Sequence, residues 1–422
     1  MLKIANLTLQ QSKKYVSSSG FNKVYSVESF FRTHKYLVEH LEGAIPRLLM
    51  SQIDWSHRLI GIKGTRGVGK TTFLLQYAKE FFDLDKRDCL YINLNQFYFT
   101  VRTITSFAKE FVENGGKTLL LDQVFKYPNW SRELRECYEQ FPQLKIVFTG
   151  STVMKLGEDE EISSIVSVYN IRGFSFREFL NIILNKDFRP YTLEEILDNH
   201  VEIAREISSE VEPLKHFWPY KHHGYYPFFL EKRNFSENLL KTVNMMLEVD
   251  VLSIKQIEMS YLPKLRKLLY LLSLSVPGKP NISQLSVECE ISRATVTNYM
   301  EYLRSARLIN MLYKEGEEFP KKPEMVYMHN TNLMFPLKIS EVREQDLRET
   351  FFYNQIHHSD YKLKKGSKAG IFIVEKEGNK YKFKIEGKKN RGKIKPDLIY
   401  AVGNLETGDK NIIPLWLFGF LY

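Results

Sequence analysis

"GTRGVGKTT", residues 64–72, is the stretch on which the fold is decided. It satisfies G-x-x-x-x-G-K-[ST], follows the apolar run "RLIGIKG" and opens an amphipathic segment, which is the strand-then-helix setting the pattern requires. The spacing has a chemical reason. Gly64, Gly67 and Gly69 allow the backbone to curl around phosphate oxygens, with Thr65, Arg66 and Val68 supplying further N–H groups, and the start of the helix adds the positive end of a dipole. Lys70 then reaches the β and γ phosphates, the Thr71 hydroxyl ligates Mg2+, and Thr72 completes the set of expected nucleotide-binding residues. The predicted ligands are ATP and Mg2+.

Outward from this loop, apolar runs alternate with amphipathic segments as in an α/β fold with a doubly wound parallel sheet. Strands are expected at 59–63, 89–94, 118–122, 144–149 and 165–171, and helices near 70–83, 103–113 and 130–140, after a short helical segment "SVESFFRTHKYLVEHLEGAIPRLLM". The run "TLLLDQV" puts Asp122 at a strand end, the place of a magnesium carboxylate, although a strand-end turn would also use an Asp. Gln123 follows where such enzymes place a catalytic Glu. An amide can orient water but cannot accept its proton. In "KIVFTGST", Thr149 and Ser151 offer hydroxyls that could sense the γ phosphate, while Gly-Ser after a strand is equally ordinary turn chemistry.

The second half changes character. A helix-rich segment contains the aromatic and basic "KHFWPYKHHGYYPFFLEKRN", read as a packed linker or lid loop; its His216, His222 and His223 have no accompanying Asp, Glu or Cys ligand set. From 262 to about 320 the pattern gives three short helices, the third capped by Ser292, and then a hairpin around a Gly-centred turn. That is the layout of a winged helix-turn-helix. On DNA, Arg293, Thr295, Thr297 and Asn298 would face bases, and Lys314, Lys321 and Lys322 would meet phosphates. Used for protein contact, the same module would need none of them. Glu301, Glu317 and Glu318 weaken its positive field.

Composition limits the alternatives. The 422 residues allow two or three domains, and 43% apolar with 26% charged residues is a globular composition. Three scattered cysteines suggest neither a disulfide framework nor a metal cluster and fit a reducing cytoplasm. No stretch has the roughly 18 apolar residues of a membrane span, so no membrane partner is expected. The net charge of +10 is matched by the window 361–395 alone, with thirteen Lys or Arg (Lys388 and Lys389 among them) against three acids. This reads either as a solvated face or as a polyanion-binding surface.

"RGVGKTTFLLQ", "LLLDQVFKYPNWSRELR", "IVFTGST", "GFSFREFL" and "RATVTNYMEYLRSARLIN" together resemble the prokaryotic AAA+-like ATPases. The resemblance covers nearly the whole chain. It implies an ASCE P-loop core with the sensor strand between the Walker A and Walker B strands, over 1–172. A helical lid at 173–260, a winged helix at 261–330 and a basic restriction-endonuclease-like domain at 331–422 would follow. Three departures stand out: Gln123, the Ser164 and Ile165 found where relatives carry arginines, and an incomplete nuclease signature. Arg172 or Arg177 could substitute for the arginines. The nuclease remnant would be Glu349, Glu386 and Lys388, but "AGIFIVE" supplies no metal Asp. The closing "IIPLWLFGFLY" is too short to span a bilayer and reads as a buried edge strand or subunit contact. The resulting expectation is an ATP-binding, slowly hydrolysing protein that associates with DNA, branched DNA included. A nucleotide-gated protein scaffold and a metal-dependent nuclease are the alternatives, and homo-oligomers stay open.

Overall fold

The structure, a computed structural model, describes residues 27–41, 47–231, 234–338, 341–359, 361–366, 370–387 and 395–422. The chain forms two compact units. One comprises Met1–Lys63, Lys70–Gly150 and Lys155–Asn170; the other comprises Gly64–Gly69, Ser151–Met154 and Ile171–Tyr422.

In the first unit, α1 (Val27–Glu39) precedes β1 (Leu59–Lys63), α2 (Lys70–Phe81), β2 (Cys89–Asn93), α3 (Ile104–Glu113), β3 (Thr118–Asp122), α4 (Trp130–Gln140), β4 (Lys145–Gly150) and β5 (Ser167–Asn170). The sheet order is β2-β3-β4-β1-β5, and every pairing is parallel. β1, β3 and β4 are buried almost throughout, as continuous apolar runs covered by helices on both faces require. β4 lies between β1 and β3, which places the ends of all three at one edge of the sheet. β5 is shorter than expected: only "SVYN" pairs, and it is half-exposed at the sheet edge, where fewer neighbours define its limits.

The second unit continues with α5 (Phe176–Leu184), α6 (Leu193–Glu210), α7 (Phe235–Met245), α8 (Leu262–Ser275), α9 (Ile282–Cys289), α10 (Arg293–Ser305), β6 (Ile309–Leu312), β7 (Met325–Met328), α11 (Glu344–His357), β8 (Lys362–Lys365), β9 (Ile371–Lys376), β10 (Asn379–Glu386), β11 (Ile399–Val402) and β12 (Ile412–Pro414). Ser175 and Thr192 close full capping boxes with Glu178 and Glu195. Helices α8 to α10 and the antiparallel β6–β7 ladder follow the expected order, but twelve residues join the two strands where a Gly-centred turn was anticipated. Gly316 has the positive φ of +78° within that long connection.

Two readings of this unit need correction. The aromatic "KHFWPYKHHGYYPFFLE" is not a loop: it is helical over Pro213–Pro219, continues through a wide-pitch turn at Tyr220–Gly224 and tightens at Pro227–Glu231. Its aromatic rings enter the core, with Tyr220, Tyr225 and Tyr226 among the most buried large side chains. The closing segment is a strand only over Ile412–Pro414; Leu415–Phe420 turns helically and drives Trp416 and Phe418 into a cluster with Phe351, Phe352 and Phe383. The sheet around it has the order β12-β11-β10-β9-β8, antiparallel from β8 to β10 and parallel from β10 to β12.

Candidate nucleotide site

Asp122 organises the site in the first unit. Leu121 on β3 pairs with Phe148 on β4, so Asp122 ends level with Thr149. Its carboxylate is 1% exposed and accepts from the Thr71 hydroxyl at 2.7 Å, from the Tyr91 hydroxyl at 2.9 Å and from the Thr149 hydroxyl. A buried carboxylate is tolerated only with such donors around it. Thr71, in the first turn of α2, and Asp122 thus set two hard oxygens side by side. That donor pair fits Mg2+, which takes one or two protein oxygens and completes its shell with water and substrate phosphates.

Tyr91 was not anticipated. Burial first, and then the neighbouring Asp122 carboxylate, push its phenol far up, so it stays a proton donor. The available signal was one polar tip in the apolar strand "CLYIN", because a buried Tyr hydroxyl needs a partner. Its backbone N–H donates to His34 Nδ1 at 3.1 Å, and burial lowers His34 to about 4. Gln123 adopts the left-handed conformation, φ +59°, and its backbone N–H donates to Thr149 Oγ1 at 2.9 Å. Thr149 therefore ties Gln123 to Asp122. The half-buried Gln123 side chain makes no hydrogen bond among the described residues.

The phosphate loop, Gly64–Gly69, has its neighbours in the second unit. The Thr65 hydroxyl faces the Ala306 carbonyl at 3.3 Å, with the Met246 sulfur 3.7 Å away. Arg66 pairs with the buried Asp250 at 2.8 Å. Gly67 and Gly69 have φ of +85° and +93°, and a Cβ on Gly67 would lie 2.4 Å from the Phe228 ring. Val68 is fully buried. Here glycine serves both the backbone conformation and the close approach of a ring.

Other expected residues are placed differently. Ser151 accepts from the Val153 N–H at 3.3 Å, which is turn chemistry. Ser164 is met by Arg135, which also donates to the Glu161 carbonyl at 2.8 Å. Arg177 is buried and holds the carbonyls of Tyr422 and Phe188, each at 3.0 Å, so its guanidinium has a structural task; Arg172 lies over the Tyr422 ring.

On α10, Arg293 and Asn298 are exposed, whereas the Thr297 hydroxyl donates back to the Arg293 carbonyl at 3.1 Å and Thr295 shares a 2.8 Å bond with Ser292. Ser292 caps the helix as expected. Lys321 and Lys322 are exposed on the long β6–β7 connection, with Lys321 3.8 Å from Glu317. Lys388 and Lys389 lie outside the described residues. Glu349 on α11 accepts from Gln345 at 2.9 Å and Tyr327 at 3.3 Å, and burial raises its carboxyl. Gln345 also reaches the Ile385 carbonyl at 3.0 Å, beside Glu386, which pairs with Lys384. Among the described residues no group of three or more His, Cys, Asp or Glu could hold a metal ion. No described helix is long and apolar enough to cross a membrane.

Comparison with known proteins supports the coarse reading. The family model of an AAA domain matches residues 56–180, and that of a domain of unknown function, DUF8612, matches 214–328. An uncharacterized protein of Methanocaldococcus jannaschii, MJ1637, is 27% identical over 276 residues, which are 61% of this chain and 57% of that protein. The chain thus spans little more than half the length of this curated relative. The structure of C. elegans PCH-2 aligns at 12% identity with a TM-score of 0.24, over 65% of this chain and 66% of that one. The AAA-domain match and the five-stranded parallel sheet fit a P-loop-like α/β core in this part of the chain.

Proposed function

We propose that the chain binds ATP·Mg2+ on Gly64–Thr72 and Asp122, hydrolyses it slowly, and acts on DNA through residues 261–422. The observation that carries the nucleotide reading is the 2.7 Å contact between the Thr71 hydroxyl and the Asp122 carboxylate, with Tyr91 and Thr149 fixing that carboxylate from two further sides. Lys70 would hold the β and γ phosphates, and Thr71 and Asp122 would hold the metal directly or through its water. Bound there, Mg2+ neutralises charge on the transferring phosphoryl group. Gln123 can position water by its amide, while a proton must leave without help from a carboxylate. In the second half, α8 to α10 with β6 and β7 would form a winged helix, with Arg293 and Asn298 as base-side groups and Lys314, Lys321 and Lys322 toward phosphates.

Calorimetry with ATP and Mg2+ tests the first part. Lys70→Ala is expected to lose the Mg2+-dependent binding; an affinity equal to the parent's would overturn the P-loop assignment. A second reading, in which the three helices contact protein and ATP gates that contact, is favoured by exposed apolar side chains on α8 and α9. Val287 is 77% exposed, and Tyr270 and Leu274 are exposed as well.

A further inference from the structure

Arg307 stands two residues beyond α10 in a left-handed turn, φ +61°, and its guanidinium lies 2.7 Å from His357 Nε2. A guanidinium can only donate, so Nε2 accepts and the imidazole proton sits on Nδ1. Burial, reinforced by Arg307, Arg172 and Arg304, lowers His357 to about 3, leaving it neutral near pH 7. His357 lines a cavity of about 370 Å3 together with Tyr353, Tyr361, Lys362, Leu363 and Lys364. The two phenols are engaged elsewhere: Tyr353 donates to the Met311 carbonyl at 3.2 Å and Tyr361 to Glu194 at 2.8 Å. That leaves Lys362, Lys364 and His357 as the polar lining residues able to meet a ligand, with the Arg307 guanidinium bonded to His357.

No carboxylate lines this cavity. Acids stand nearby: Glu194 accepts from the Tyr361 hydroxyl in the cavity wall, Glu375 is opposite Lys362 in the antiparallel β8–β9 register, Glu324 lies 3.8 Å from Lys365, and Glu315 binds Lys380. A concavity lined by Lys362, Lys364 and His357, with the half-buried Arg307 guanidinium on that imidazole, favours an anion with several acceptor oxygens, and Glu375 opposite Lys362 offsets part of that field. A phosphate group has that form. We propose that this cavity, between α11 and edge strand β8, is a phosphate site that takes a phosphodiester of a nucleic-acid strand or the phosphates of a free nucleotide. The nucleic-acid case rests on the DNA reading above; the nucleotide case does not.

The test uses the full chain in two arms. In the first, anisotropy of labelled single-stranded and duplex oligonucleotides is followed between roughly 50 and 200 mM salt. The second is calorimetry of ATP, without Mg2+, on the Lys70→Ala chain. Each arm compares Lys362→Gln/Lys364→Gln and Arg307→Gln with Lys109→Gln/Lys117→Gln, a pair of exposed lysines in the other unit. For a nucleic-acid ligand, the cavity double variant loses about tenfold in affinity and its log-log salt slope becomes shallower by up to about 1.8, two phosphates at about 0.9 each, while the control pair keeps both. For a free nucleotide, ATP binding persists in Lys70→Ala and disappears with the cavity substitutions. ATP binding in the second arm that the cavity substitutions abolish, without any oligonucleotide binding, leaves the cavity standing and removes the DNA reading, whereas ATP binding that they leave unchanged, with no oligonucleotide effect specific to the cavity pair, overturns the cavity. Oligonucleotide binding that the cavity and control pairs weaken equally, without ATP binding in the second arm, overturns the cavity and spares the DNA reading. No binding in either arm overturns the cavity proposal.

Discussion

Gln123 turns left-handed just after β3, the residue after Asp122, whose carboxylate Thr71, Tyr91 and Thr149 surround. Its backbone is already fixed by the Thr149 hydroxyl, so exchanging the amide for a carboxylate alters chemistry and leaves the turn as it is. Gln123→Glu is expected to raise the rate of phosphate release from ATP by about 10² to 10⁴, the usual contribution of a general base. A rate equal to the parent's would place the deficit elsewhere, and rapid turnover in the parent would remove the idea of a slow ATPase. Asp122 was legible in the sequence because a strand-end Asp is a local signal. Tyr91 was not, since its hydroxyl meets Asp122 only once β2 and β3 pair in their observed register, Tyr91 beside Leu120 and Asn93 beside Asp122.

The phosphate loop between β1 and α2 is the element most exposed to a small change. At Gly67 an added methyl group meets both the positive φ, which costs about 1–2 kcal/mol for an L residue, and the Phe228 ring at 2.4 Å. Gly67→Ala should therefore weaken ATP binding by about tenfold or more in calorimetry, and Phe228→Ala added to it should recover part of the loss by removing the ring but not the backbone strain. Full recovery would show that crowding alone matters; none would show that the φ alone does. The regular elements were readable because strand runs and helical periodicity are local, and β4 lies between β1 and β3 in a five-stranded parallel sheet that fits a P-loop-like core. The errors fell where tertiary packing decides: the aromatic segment is helical because its rings are buried, and the closing run leaves the sheet after Pro414 because Trp416 and Phe418 fill the core. Neither neighbour is visible in a window of adjacent residues.

For the molecule as a whole, acidity should matter more than its basic composition suggests. His34, in one unit, and His329, His357 and His358, in the other, are all held neutral chiefly by burial, at about 4 for His34, about 3 for His357 and well below the usual range for the other two. In each case the folded value lies below the unfolded one near 6.5, so the unfolded chain binds more protons as the pH drops. The stability from these imidazoles is complete above about pH 6.5 and declines toward pH 4 and below; His34 alone accounts for up to about 3 kcal/mol. Thermal unfolding at pH 7 and pH 5 checks this, with a lower midpoint expected at pH 5 and an unchanged one contradicting it. The sequence displayed these histidines but not their burial, which depends on residues far away along the chain. The Thr65 hydroxyl's contact with the Ala306 carbonyl ties the phosphate loop to the end of α10, which makes the loop one participant in a thermodynamic cycle with that helix end. Whatever factor a ligand on the loop imposes on the equilibrium of that helix end, a ligand on the helix end imposes on the loop.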